Sequence, residues 1–133
     1  MPTHDIHHLH LVKELAEELK PVLSKSPQAI YLYLDDEHKI CNKKFADLLG
    51  YKSVKEWVDN QYPISDVDEK DQEKGIEAYM NASRKFKAST FSGTFIKKNG
   101  KKIKAEVIMA PISYKGEVFV LHFISEKNRS KVS

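Results

Sequence analysis

The run EVFVLHFIS at residues 117–125 is apolar on both of its sides. In an extended chain successive side chains point to opposite faces, so Val118, Val120 and Ile124 share one face and Phe119, Leu121 and Phe123 the other. A strand with two apolar faces needs a layer packed against each, which puts it in the middle of a sheet and not at its edge. Upstream, Lys115-Gly116 joins this run to residues 101–112. Asn99-Gly100, the strongest short hairpin signal, joins those in turn to residues 90–97. The last third of the chain therefore reads as three antiparallel strands.

Further back, residues 29–34 alternate Ile30, Leu32 and Leu34 with Ala29, Tyr31 and Tyr33, and residues 35–38 close the segment as a turn into a short strand over residues 39–42. The period then becomes helical. Phe45, Leu48 and Leu49 form a stripe ended by Gly50, and Ser53 with Glu56 makes a capping pattern ahead of Val54, Trp57 and Val58. After Tyr62-Pro63 comes an acidic opening, Asp66, Asp68, Glu69 and Asp71, whose charges suit a helix start. A helix follows with Ile76, Tyr79, Met80 and Ser83 on one side. At the other end of the chain, residues 7–24 carry Leu9, Val12, Leu15, Ala16, Leu19, Val22 and Leu23 at helical spacing, with Pro21 forcing a kink or stop near Lys20. The expected organisation is an amphipathic helix and linker over residues 1–26, one domain over 27–126 and a tail over 127–133. The order helix, two strands, short helices, three strands is an α+β pattern. Short helices cover one face of an antiparallel sheet, and the amphipathic helix or a second subunit covers the other.

Composition narrows the function classes. Hydrophobic residues make up 41% and charged residues 31% of the 133, ordinary values for a globular domain, and no apolar run approaches the ~18 residues of a membrane span. The first ten residues hold four histidines but no secretory pattern, and Cys41 is the only cysteine, so a reducing cytoplasm is the expected location. Residues 1–66 hold 8 Lys/Arg against 11 Asp/Glu, and residues 67–133 hold 14 against 8. The basic excess sits largely at Lys97, Lys98, Lys101, Lys102 and Lys104, around the hairpin tip. Lysines there are a solvated end that discourages strand pairing, and without interleaved aromatics they do not make a nucleic-acid surface.

The stretch DDEHKICNKKFADLLGY at residues 35–51 resembles the opening hairpin and the Asn, Phe, Leu, Gly-Tyr helix of PAS domains. VDEKD at 67–71 falls where that family begins its long helix, KKNGK at 97–101 resembles its glycine-containing hairpin, and ISEK at 124–127 resembles part of its closing signature. Phe123 stands where the closing signature usually has Asp, and Glu69 where the helix start usually has Pro. The resemblance spans residues 28–126. It implies a PAS-like five-stranded antiparallel sheet in the order 2-1-5-4-3, and a sensory or signalling role without an output domain of its own.

Nothing in the sequence assembles a catalytic group: no nucleophile has an evident base and no glycine loop suits a phosphate, so the chain is expected not to be an enzyme. A haem of the PAS type would want a histidine on the long helix, which has none. A flavin photosensor would want a cysteine in the helix after the pocket, whereas Cys41 ends the second strand and reads as a small buried hydrophobe. The histidines at 4, 7, 8 and 10 read as a solvated terminus, so no metal site is expected. Two readings remain. In one, a small, partly apolar ligand binds between helices and sheet, against walls drawn from Leu32, Leu34, Phe45, Leu49, Trp57, Tyr79, Met80, Phe95, Val107, Met109 and His122. The pocket would open between the sheet face bearing Leu32 and Met109 and the helix bearing Tyr79 and Met80, with Tyr79 and His122 as the polar anchors. In the other, the interior is solid and the domain is a homodimerisation or partner-binding module acting through Leu9, Val12, Ala16 and Leu19.

Overall fold

The computed structural model describes residues 2–127, with side chains from residue 6 onward. Five strands, β1 (Ala29–Asp35), β2 (His38–Cys41), β3 (Ser89–Ile96), β4 (Lys102–Tyr114) and β5 (Glu117–Glu126), form one antiparallel sheet in the order β2-β1-β5-β4-β3. β5 is central, as its two apolar faces require: Leu32 pairs with Leu121 on one side and Met109 with His122 on the other. The two turns of the last three strands use left-handed backbone where glycine fits. Lys115 and Gly116 both take positive φ, 48° and 87°, which gives a two-residue hairpin.

On one face lie α3 (Lys43–Leu49), α4 (Val54–Val58), a 3₁₀ turn (Pro63–Asp66) and α5 (Glu69–Lys85). Asn42 starts α3: its Oδ1 accepts from the Phe45 N–H at 3.0 Å and also from the Ile30 N–H at 3.0 Å, so the helix cap is locked to β1. Gly50 ends the helix at φ 80°. Ser53 caps α4, but Glu56 reaches the Lys52 N–H and not that of Ser53, so the box closes one residue early. The edge of β3 is covered locally, because the Thr94 N–H donates to the buried Asp71 carboxylate at 2.8 Å while Thr94 O accepts from the Asp68 N–H at 2.8 Å. The expected apolar side of α5 is displaced. Asp71, Gly75, Ala78 and Ala82 are its buried residues, and Ile76 is exposed.

The other face is covered by α1 (Pro2–Glu18), followed after a break at Leu19 by α2 (Lys20–Lys25), which starts just ahead of Pro21. Leu11, Val12 and Leu15 pack on Ile30, Leu32, Phe119 and Leu121 in a second core, with Leu19 and Leu34 at its border. These contacts use much of the set expected at a dimer interface. Val12 is buried in the chain's own core, Leu19 packs against it and Ala16 is half-buried, while of that set Leu9 alone is exposed. The sheet offered a complementary apolar face, so the helix stripe is satisfied within the chain. Among the described residues no helix is long and apolar enough to cross a membrane.

Candidate functional site

A cavity of about 370 Å³ opens between the α3–α5 layer and the inner face of the sheet. Its floor is built by period-two alternation: Tyr31 and Tyr33 from β1, His122 from β5, Val107 and Met109 from β4, and Phe91 and Phe95 from β3. Its roof is Ile76, Tyr79 and Met80 of α5, and its end wall is Phe45, Trp57, Ile64 and Asp66. Ile64 and Ile76 are partly solvent-exposed at the mouth.

Three rings are ranked across it. Tyr31 stacks on His122 with centroids 3.9 Å apart and planes 13° from parallel, and Tyr79 continues the rank at 6.4 Å from His122, again 13° from parallel. Burial pushes the His122 imidazole down to about 3, against the pull of nearby backbone carbonyls, so the ring is neutral at physiological pH. Its Nδ1 lies 3.1 Å from the Val120 carbonyl, an acceptor for a ring N–H. Tyr31 also meets the rings of Phe45 at 4.9 Å and Trp57 at 5.0 Å.

The buried polar group at the end wall is Asp66. Its carboxylate accepts from the Tyr51 hydroxyl at 2.6 Å and from Trp57 Nε1–H at 3.0 Å. Burial raises its pKa, and the two donors and Lys39 oppose that rise. Lys39 is itself buried on β2. Its ammonium donates to the carbonyls of Asp36, Val58 at 2.9 Å and Asn60 at 2.7 Å, and it lies 5.3 Å from the Trp57 ring centroid. Desolvation lowers its pKa. Lys39 therefore ties the strand hairpin to the α4 segment that carries the wall. At the mouth the Tyr79 hydroxyl donates to the Leu34 carbonyl at 3.4 Å, and the Tyr33 hydroxyl donates to Asp36.

Of the walls expected from sequence, Phe45, Trp57, Tyr79, Met80, Phe95, Val107, Met109 and His122 border the cavity. Leu32 and Leu34 do not. They point to the α1 side, and because side chains alternate, the cavity face of β1 is Ala29, Tyr31 and Tyr33. Leu32 and Met109 therefore do not share a face. Leu49 is fully buried in the inner core but stands away from the cavity. Sequence reasoning missed Tyr31, Tyr33, Phe91, Ile64 and, above all, Asp66, which it took as one of several acids suited to the start of α5. The available signal was its place directly before Val67, an apolar residue that is buried.

The PAS domain family model matches residues 27–128. No curated protein matches the chain in sequence. Solved structures share the fold. A PAS domain from a two-component sensor histidine kinase superposes with a TM-score of 0.65 at 15% identity, covering 86% of this chain and 99% of that one. The PAS domain of an HTR-like protein from Haloarcula marismortui gives 0.61 at 19%, covering 87% and 94%. The LOV protein of Rhodobacter sphaeroides gives 0.73 at 15%, covering 91% and 71%.

Proposed function

Given that this chain belongs to the PAS domain family, we propose that it is a sensory domain whose cavity binds a small, partly apolar molecule. The observation that carries this reading is the aromatic-walled cavity with a single buried carboxylate at its end. Pockets for small ligands are mostly apolar with a few fixed polar groups, and this one follows that rule. The rank of Tyr31, His122 and Tyr79 offers a planar molecule an edge to pack on, and Asp66 favours a ligand that presents an N–H or O–H toward Trp57 and Tyr51.

The lining does not suit flavin or haem. A flavin presents alternating donors and acceptors that side-chain amides complement, and among the described residues no Asn, Gln or Cys lines the cavity. A haem needs a projecting imidazole, whereas His122 is held flat between two tyrosines. We read the domain as a non-enzymatic, cytoplasmic module, since among the described residues no nucleophile and base converge at the cavity, and the lone cysteine fits a reducing compartment. A second reading, self-association or docking of a signalling protein, has its foothold in Ile6 and Leu9, which stand exposed on α1.

Thermal melting of wild type and Val107→Phe, with and without a panel of small aromatic and amphipathic molecules, tests the proposal. The larger ring fills the cavity, so the variant melts within a few degrees of wild type while ligand-induced shifts seen in wild type disappear. A wild type that no molecule stabilises, together with a variant that loses the ~1 to 3 kcal/mol typical of an overpacked solid core, overturns it.

A further inference from the structure

On the opposite side of the sheet from the cavity, three metal-ligating side chains from three elements converge. Asp35 ends β1, His38 begins β2, and α1 lays His8 across them, so that one donor atom of each lies within 4.8 Å of the others. His38 Nδ1 is 2.7 Å from Asp35 Oδ1, and His8 Nδ1 is 3.4 Å from Asp35 Oδ2. The two imidazoles meet edge to face at 5.6 Å between centroids. Their side chains are 12% and 7% exposed, so this part of the histidine-rich terminus is packed against the sheet and is not the solvated tail expected from sequence. Glu117, at the start of β5, places Oε2 3.5 Å from His8 Nε2 on the far side of that ring.

We propose that His8, Asp35 and His38 bind a divalent transition-metal ion of the zinc class and thereby clamp α1 to the sheet. Donors around a tetrahedral zinc ion at about 2.0–2.2 Å stand roughly 3.3–3.6 Å apart, so the three groups reach that geometry by movements of about an ångström. Two imidazoles with one carboxylate suit zinc, cobalt or nickel and not the hard ions calcium and magnesium, which take oxygen donors. Three protein ligands leave a fourth position for water, while Glu117 sits at the other ring nitrogen of His8, where it can orient the imidazole. Since His8 arrives only when α1 is docked, the ion binds the docked form and stabilises it.

The test uses the full chain, zinc chloride in chelator-free buffer, isothermal titration and thermal melting. Wild type takes up one zinc ion saturably, and its melting temperature rises by several degrees. His7→Ala/His10→Ala, which removes neighbouring histidines outside the cluster, retains both effects. His8→Gln and Asp35→Asn weaken binding by about tenfold or more and lose the melting shift, while their metal-free far-ultraviolet spectra match wild type. Binding that survives His8→Gln, or that vanishes in His7→Ala/His10→Ala, shows capture by the terminal histidines alone and overturns the proposal, as does the absence of saturable binding to wild type. Either outcome leaves the cavity reading untouched, because no residue of the cluster lines the cavity.

Discussion

Tyr31 and His122, directly paired across β1 and β5, hold their rings 3.9 Å apart in a near-parallel stack inside the domain. Burial of His122 keeps its ring neutral and makes folding depend on pH. The imidazole titrates near 6.5 when exposed and near 3 in the fold, so between those values the unfolded chain binds the extra proton. Stability is full above pH 6.5 and is lost as pH falls toward 3. From pH 6.5 to about 4.5 the loss attributable to this ring is on the order of 2 kcal/mol. Urea unfolding across that range should show a smaller loss for His122→Phe than for wild type. Parallel pH dependences would show that the ring is not desolvated.

The Asp66 carboxylate accepts from two buried donors, Tyr51 O–H and Trp57 Nε1–H. Asp66→Ala should cost about 2–4 kcal/mol, since each buried unpaired donor costs about 1–3 kcal/mol. Trp57 is the only tryptophan, so its emission reports on this wall directly and should shift when the carboxylate is removed. A variant as stable as wild type with unchanged emission would contradict the bonding described.

The placement of α1 within its own chain predicts how a charge there behaves. Leu15 is 4% exposed against the outer sheet face. Leu15→Glu should therefore destabilise the domain by about 3 kcal/mol or more, the mark of an unpaired charge forced into a core. Leu9→Glu, at an exposed position, should not. Sedimentation of the two variants separates packing from association. A change of mass caused by Leu9→Glu at unchanged stability would instead identify an interface on the outer side of α1.

Cys41 should be chemically quiet. Burial pushes its thiol up to about 12, outweighing the favourable charge of Lys39, and the thiolate is the reactive form. Labelling by a disulfide reagent at neutral pH should be slow in the native protein and fast in urea. Rapid native labelling would show that β2 opens.

Much of this architecture is legible in the sequence because its cues are local. The Ser53 cap, the Gly50 stop, the two glycine hairpins and the doubly apolar β5 each follow from a few neighbouring residues, whereas Asn42, read as the end of a strand, turned out to cap α3, and the resemblance supplied the strand order. The cavity was legible only in part. Residues 29–34 present leucines on one side and tyrosines on the other, and alternation separates the two sets without saying which faces the helices; only the packing of α1 on Ile30 and Leu32 decides it. Asp66 and Lys39 escaped for a related reason. Each is a charge whose partners lie on other elements, Tyr51 and Trp57 for one and the carbonyls of Val58 and Asn60 for the other. Residues 8, 35 and 38 converge through the docking of a helix that sequence pattern left free to cover the sheet or meet a second subunit.

The central position of β5 has a mechanical consequence. His122 borders the cavity, while its chain neighbours Leu121 and Phe123 face the second core under α1. Adjacent residues of a strand are only ~3.4 Å apart, so the two compartments share a wall one backbone thick. A push that tilts His122 cannot be absorbed by an intervening layer. It moves the same peptide units from which Leu121 and Phe123 hang, and Leu121 shares its core with Leu11, Val12 and Leu15 of α1.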